Sequence, residues 1–133
     1  MQKTVLAALL LVSGVAHADR ERISVAEVAS WCQPFKNAVL NGDEYSMHST
    51  RDSARCFGAF VVIQQLAATT WDVSSTETIL KTCIPPEVRM TDLIKVFLRY
   101  AEAHPEQGHY KFTDVAVFAL QTAYPCPTET KPK

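Results

Sequence analysis

The sequence predicts an all-α domain, a small bundle of four helices with a kinked first helix, stapled by two disulfides. Three observations carry that prediction. Apolar residues recur three and four apart in separate stretches, proline and glycine punctuate those stretches, and four cysteines follow an export-like leader. No strand-like alternation of useful length and no internal repeat interrupts the pattern.

The leader opens with Lys3, continues as an uncharged run from Thr4 to Val15 and ends at Ala16-His17-Ala18 before Asp19. A charged head, an apolar middle and a small-residue cleavage site are the parts of a secretory signal peptide. The apolar run falls short of the ~20 residues that span a bilayer, so a membrane anchor is disfavoured. Residues 1–18 are therefore expected to be removed, leaving 19–133 as one helical domain in the periplasm. Losing Lys3 leaves 12 basic against 14 acidic residues, a net charge of −2 with histidines neutral. That balance attracts neither nucleic acid nor an anionic membrane.

Residues 24–41 open with Ser24-x-x-Glu27, a reciprocal capping pattern, and place Val25, Val28, Cys32, Phe35 and Val39 on one helical face. Pro34 lacks an N–H and crowds the carbonyl of Ser30, so a kink or a split is expected there, with Asn41-Gly42 as the helix stop. Residues 43–50 read as a polar loop. Ser49-x-x-Asp52 then starts a second helix that is apolar nearly all round, with Cys56, Phe60, Ile63 and Ala67 on one side and Phe57, Val61 and Leu66 nearer the other. Such a helix is expected at the centre, with Gly58 allowing a neighbour's close approach.

The stretch from Trp71 to Thr82 is rich in serine and threonine, and Cys83-Ile84-Pro85-Pro86 cannot be helical, so this segment is a connector. Trp71 and Phe60 are expected in the core. A third helix runs from Arg89 or Thr91 to Ala103 and stops at His104-Pro105; after a loop over 104–112 a fourth runs from Thr113 to Ala123.

Cysteine usage gives a geometric suggestion. Four cysteines in an oxidising compartment default to two disulfides, with three connectivities open. An antiparallel hairpin of the third and fourth helices would bring Cys83 beside Cys126 and leave Cys32 to Cys56. Zinc is disfavoured, because spacings of 24, 27 and 43 residues contain no Cys-x-x-Cys pair.

Catalysis finds no constellation: no Gly-x-Ser-x-Gly, His-Glu-x-x-His or phosphate loop is present. His104 and His109, with Glu102 and Glu106 nearby, lack the spacing of a metal site and read as a solvated loop. No cofactor, metal or catalytic residue is therefore expected, and binding is left as the mode of action.

Four short patterns in order carry a resemblance. Cys56-Phe57-Gly58 opens a buried helix, Cys83-Ile84-Pro85 precedes the third helix, His104-Pro105-Glu106 ends it, and Ala119-Leu120 leads to Tyr124-Pro125-Cys126. Together they resemble the Rap/Tai immunity domain of periplasmic proteins that neutralise peptidoglycan amidase toxins delivered by type VI secretion. The sequence departs from that pattern at Arg89, where a capping Thr is usual, at Tyr124 for Phe, and across 104–112, which lacks the usual small apolar residues. The resemblance implies a non-enzymatic helical inhibitor, often a homodimer, that blocks the cleft of a cognate amidase effector. The candidate contact loop is 104–112, with His104, Glu106, Gln107, His109, Tyr110 and Lys111; the rival surface is 43–51, with Asp43, Glu44, Tyr45, Met47 and His48. A small periplasmic stress chaperone, or another non-enzymatic binding protein, is the alternative.

Overall fold

Among the described residues four α-helices form, each burying one stripe. The computed structural model describes residues 22–41, 44–46 and 50–127; the expected signal segment and cleavage site lie outside the described residues. Helix α1 spans Val25–Lys36 and buries Val25, Val28, Cys32 and Phe35. Ser24 caps it as expected, its hydroxyl accepting from the Glu27 amide at 3.2 Å. The helix stops at Lys36, short of the expected Asn41-Gly42 end, with Pro34 in its last turn. Beyond it, Val39–Asn41 and Glu44–Ser46 pair antiparallel as β1 and β2, Asn41 opposite Glu44. Val39–Asn41, read as a helix end, and Glu44–Ser46, read as loop, are thus two paired strands. Asn-Gly signals a hairpin turn as strongly as a helix stop, and local pattern does not separate the two.

Helix α2 spans Arg51–Ala68 and starts one residue later than expected. Thr50 and Ser53 cap it reciprocally, the Ser53 amide donating to the Thr50 hydroxyl and the Thr50 amide to the Ser53 hydroxyl. Cys56, Phe60, Ile63 and Ala67 face the core, whereas Phe57, Val62 and Leu66 are exposed. The second helix is therefore amphipathic and not the central one. The expected role of Gly58 also fails: a Cβ built there meets nothing within 4 Å.

The central element is α3, Met90–Ala103, which buries Thr91, Leu93, Ile94, Val96, Phe97 and Leu98. Arg89, which has no side-chain acceptor, cannot cap as a Thr would; the Asp92 carboxylate instead accepts the Arg89 amide at 3.1 Å. A single 3₁₀ turn, Pro105–Gln107, leads to α4, Phe112–Ala123. One phenylalanine from each of α2, α3 and α4 meets at the centre. Phe60, Phe97 and Phe112 lie 5.3–5.5 Å apart between ring centroids in tilted and edge-on pairs, and all three are buried.

The disulfides are Cys32–Cys56 and Cys83–Cys126, the pairing suggested by the helical hairpin. The first ties α1 to α2 inside the core; the second ties the connector to the segment after α4. Closing loops of 24 and 43 residues stabilises the fold by about 3.5 and 4 kcal/mol in the chain-entropy model. Two hydrogen bonds reinforce the second staple, one from the Cys83 amide to the Tyr124 carbonyl and one from the Gln121 side-chain Nε2 to the Leu80 carbonyl. No helix among the described residues is long and apolar enough to cross a membrane.

Candidate functional site

Residues 104–112 lie against the first turn of α1. A helix start leaves its first amides without intrahelical acceptors, and here the loop supplies them. The Val25 amide donates to the Tyr110 carbonyl at 3.0 Å and the Ala26 amide to the Gly108 carbonyl at 2.9 Å. The Phe112 amide returns a bond to the Ile23 carbonyl at 3.0 Å, and Ser24 bridges Lys111. Backbone groups thus fix the loop to α1, which leaves its outward-facing side chains free to act.

The six candidate side chains divide. His104 and Gln107 turn toward α3: the His104 ring lies 4.4 Å from the Tyr100 ring, and Gln107 Nε2 reaches the Tyr100 hydroxyl at 3.5 Å. These two brace the loop. Glu106, His109, Tyr110 and Lys111 are exposed. His109 and Tyr110 meet edge-on at 4.5 Å, which gives the two rings one shared orientation. The Glu106 carboxyl is held below its ordinary range, first by its own backbone N–H and further by His104, whose Nδ1 lies 3.2 Å away, although burial opposes them.

Two residues absent from the sequence reading join the site. Arg22 and Asp114 line a shallow open depression together with His109, Tyr110 and Lys111. Arg22 arrives through the pairing of residues 23–26 with 108–112, a long-range contact that local spacing does not reveal. Asp114 sits in the first turn of α4, where a carboxylate also favours the helix dipole. Three basic groups, counting His109 when protonated, surround one carboxylate and a tyrosine.

Of the rival surface, Asp43, Met47 and His48 lie outside the described residues, and Glu44 and Tyr45 belong to β2. Phe60 is in the core as expected, but Trp71 is 64% exposed, so its expected burial is overturned. Hydrophobicity alone misplaces it, because the connector that carries it runs over the surface.

All four cysteines are bonded, so none offers a thiolate. Among the described residues, no three His, Cys, Asp or Glu side chains cluster to hold a metal. The arrangement supports contact with a macromolecule: a braced loop, an aromatic pair and a mixed-charge rim.

A comparison with family models matches the description "Rap1a immunity proteins" over residues 4–126. No curated protein and no solved structure matches the chain. Because the family match spans well over half of the sequence, the chain belongs to the Rap1a immunity protein family.

Proposed function

We propose that this chain protects its cell in the periplasm by binding and inhibiting a peptidoglycan amidase toxin delivered by type VI secretion, and that it performs no catalysis itself. The family match over residues 4–126 carries this reading, since an immunity protein acts on a toxin partner. The export-like leader over 1–18 and two internal disulfides agree with an oxidising compartment. Residues 19–133 would be the mature domain. The contact surface is the loop 104–112, whose exposed Glu106, His109, Tyr110 and Lys111 rest on a backbone-locked frame.

Tyr110 holds α1 through its carbonyl, not its ring, so truncating the ring leaves the frame intact. In calorimetry with a peptidoglycan amidase taken from a neighbouring gene, Tyr110→Ala and His109→Ala should each weaken binding, by ~2 kcal/mol or about 30-fold for a central anchor. Their melting temperatures should match the parent's. Unchanged affinity would move the site to 43–51 or to a helix face. Failure of the parent protein to bind any neighbouring-gene amidase would refute the inhibitor reading.

A further inference from the structure

Trp71 and Val73 stand on the connector between α2 and α3, and the site at 104–112 does not account for them. Trp71 is 64% exposed and Val73 is 106% exposed, so neither ring nor isopropyl group contributes to the core. Single exposed apolar residues are ordinary on protein surfaces. Two within three residues, one of them a tryptophan, on a turn with its own frame are a different case.

That frame is dense. Asp72 Oδ1 accepts from the Ser74 amide at 2.8 Å and the Ser74 hydroxyl at 2.6 Å, while the Asp72 carbonyl accepts from the Thr70 hydroxyl and the Ser75 amide. Below the tip, the Ile79 amide donates to the Thr69 carbonyl at 2.8 Å and Thr70 bridges Thr78. A tip ordered before contact loses little further freedom on binding, which is the condition for a strong anchor.

Position and charge narrow the occupant. The tip projects from the end of α2, where Ala67 and Ala68 line one depression with Pro85, Pro86 and Val88 just ahead of α3, whereas the candidate loop follows the other end of that 14-residue helix. Asp72 lies between the two apolar residues and its carboxylate is fully exposed, while Glu77 already faces Lys81 at 3.8 Å. An anionic lipid surface would be repelled by this tip; an apolar protein pocket rimmed by cations or N–H donors complements it.

Resting on the reading as a toxin inhibitor, we infer that the Trp71–Val73 tip is a second anchor for the same toxin, entering an apolar pocket rimmed by lysine, arginine or backbone N–H groups. Tryptophan is the residue type most enriched among interface anchors. The tip and the loop 104–112 would then grip the partner from the two ends of α3.

The chain has two tryptophans, and the other, Trp31, is half-buried beneath the Arg55 guanidinium at 5.5 Å. In a Trp31→Phe background the emission therefore reports Trp71 alone. Titrating the mature, oxidised protein with the neighbouring-gene amidase should shift that emission to the blue, and Trp71→Ala in the native background should weaken binding tenfold or more without lowering the melting temperature. Unchanged affinity of Trp71→Ala, with Tyr110→Ala still impaired, overturns this inference alone; no binding by the parent protein overturns it together with the inhibitor reading. A blue shift on vesicles of phosphatidylglycerol and phosphatidylethanolamine without toxin, or self-association abolished by Trp71→Ala with toxin affinity intact, overturns it in favour of a membrane or a second copy.

Discussion

The two ends of α3 each carry a loop, and the loops are held by different chemistry. At 104–112 the frame is main chain: the carbonyls of Gly108 and Tyr110 satisfy the first amides of α1, and the side chains project from that lattice. At 69–82 the frame includes side chains: the Thr70 and Ser75 hydroxyls and the Asp72 carboxylate bond nearby backbone, and the Ser74 hydroxyl donates to the Asp72 carboxylate. A backbone-held loop tolerates exchange of its outward residues, because none of them maintains its shape. A side-chain-held turn constrains its polar residues and leaves its apolar ones unconstrained by folding. In the first loop variation is available for specificity; in the second, Trp71 and Val73 are the residues without a structural task.

The comparison can be broken most strongly from within the core. Phe112 belongs to the aromatic triad and begins α4, and its amide bonds Ile23. Phe112→Ala should cost about 3–5 kcal/mol by removing a buried ring and leaving a cavity. At the other end, Cys83→Ser with Cys126→Ser should cost about 4 kcal/mol by freeing the 43-residue loop. Thermal melts measure the two losses. Hydrogen exchange separates them: the Val25 and Ala26 amides should open more readily in the first variant, and the Ile79 amide in the second. Equal loosening at both ends in either variant would show that the ends are not independent units.

Sequence legibility follows the same division. Helical stripes, the cysteine pairing and the stops at His104-Pro105 and Tyr124-Pro125 were readable because each depends on residues within a turn or on the topology of one hairpin. The fourth helix differs from expectation by a single residue at its start. What failed needed distant information. Asn41 terminates no helix because Val39–Asn41 pairs with a second strand, and Trp71 is outside because the segment carrying it runs over the surface. The site was legible as a cluster of exposed polar and aromatic residues at 104–112, but its backbone frame and the entry of Arg22 depend on a pairing across more than 80 residues.

Two glycines sharpen the contrast at smaller scale. A Cβ at Gly108 would lie 3.2 Å from the Pro105 carbonyl oxygen and 3.5 Å from the Ala26 Cβ, so the loop approaches α1 closely there. Gly108→Ala should push the loop off the helix start and destabilise the protein by roughly 1 kcal/mol, near the value of a lost helix cap. Gly58 sits in an exposed helix position with open space around it. Gly58→Ala should therefore stabilise by up to ~1 kcal/mol through helix propensity. Chemical denaturation of both variants gives the two signs; a stabilising Gly108→Ala would mean that the close approach at the candidate loop does not hold it.

The smallest expected effect tests the two frames through acid. Each end carries one carboxyl held below its ordinary range: Asp72, ordinarily 3.8, chiefly by the Ser74 hydroxyl and then the Ser74 amide, and Glu106, ordinarily 4.5, chiefly by its own backbone N–H. A depressed folded value means that the ionised form is favoured by the fold. The associated stability is therefore complete above the unfolded value and is lost as pH falls through the folded one. Both groups are exposed, so the change in global stability should be slight. The local consequences should differ. Protonating Asp72 weakens the acceptor around which the 70–75 turn is built, so protection of the Ser74 amide should fall in step with Asp72 titration below pH 3.8. Protonating Glu106 leaves the carbonyls of Gly108 and Tyr110 in place, so the Val25 and Ala26 amides should keep their protection across the same range. Carboxyl and amide resonances followed by nuclear magnetic resonance from pH 6 downward measure both. Loss of Val25 and Ala26 protection together with Glu106 titration would show that the candidate loop depends on its side chains after all, and the distinction between the two ends would fall.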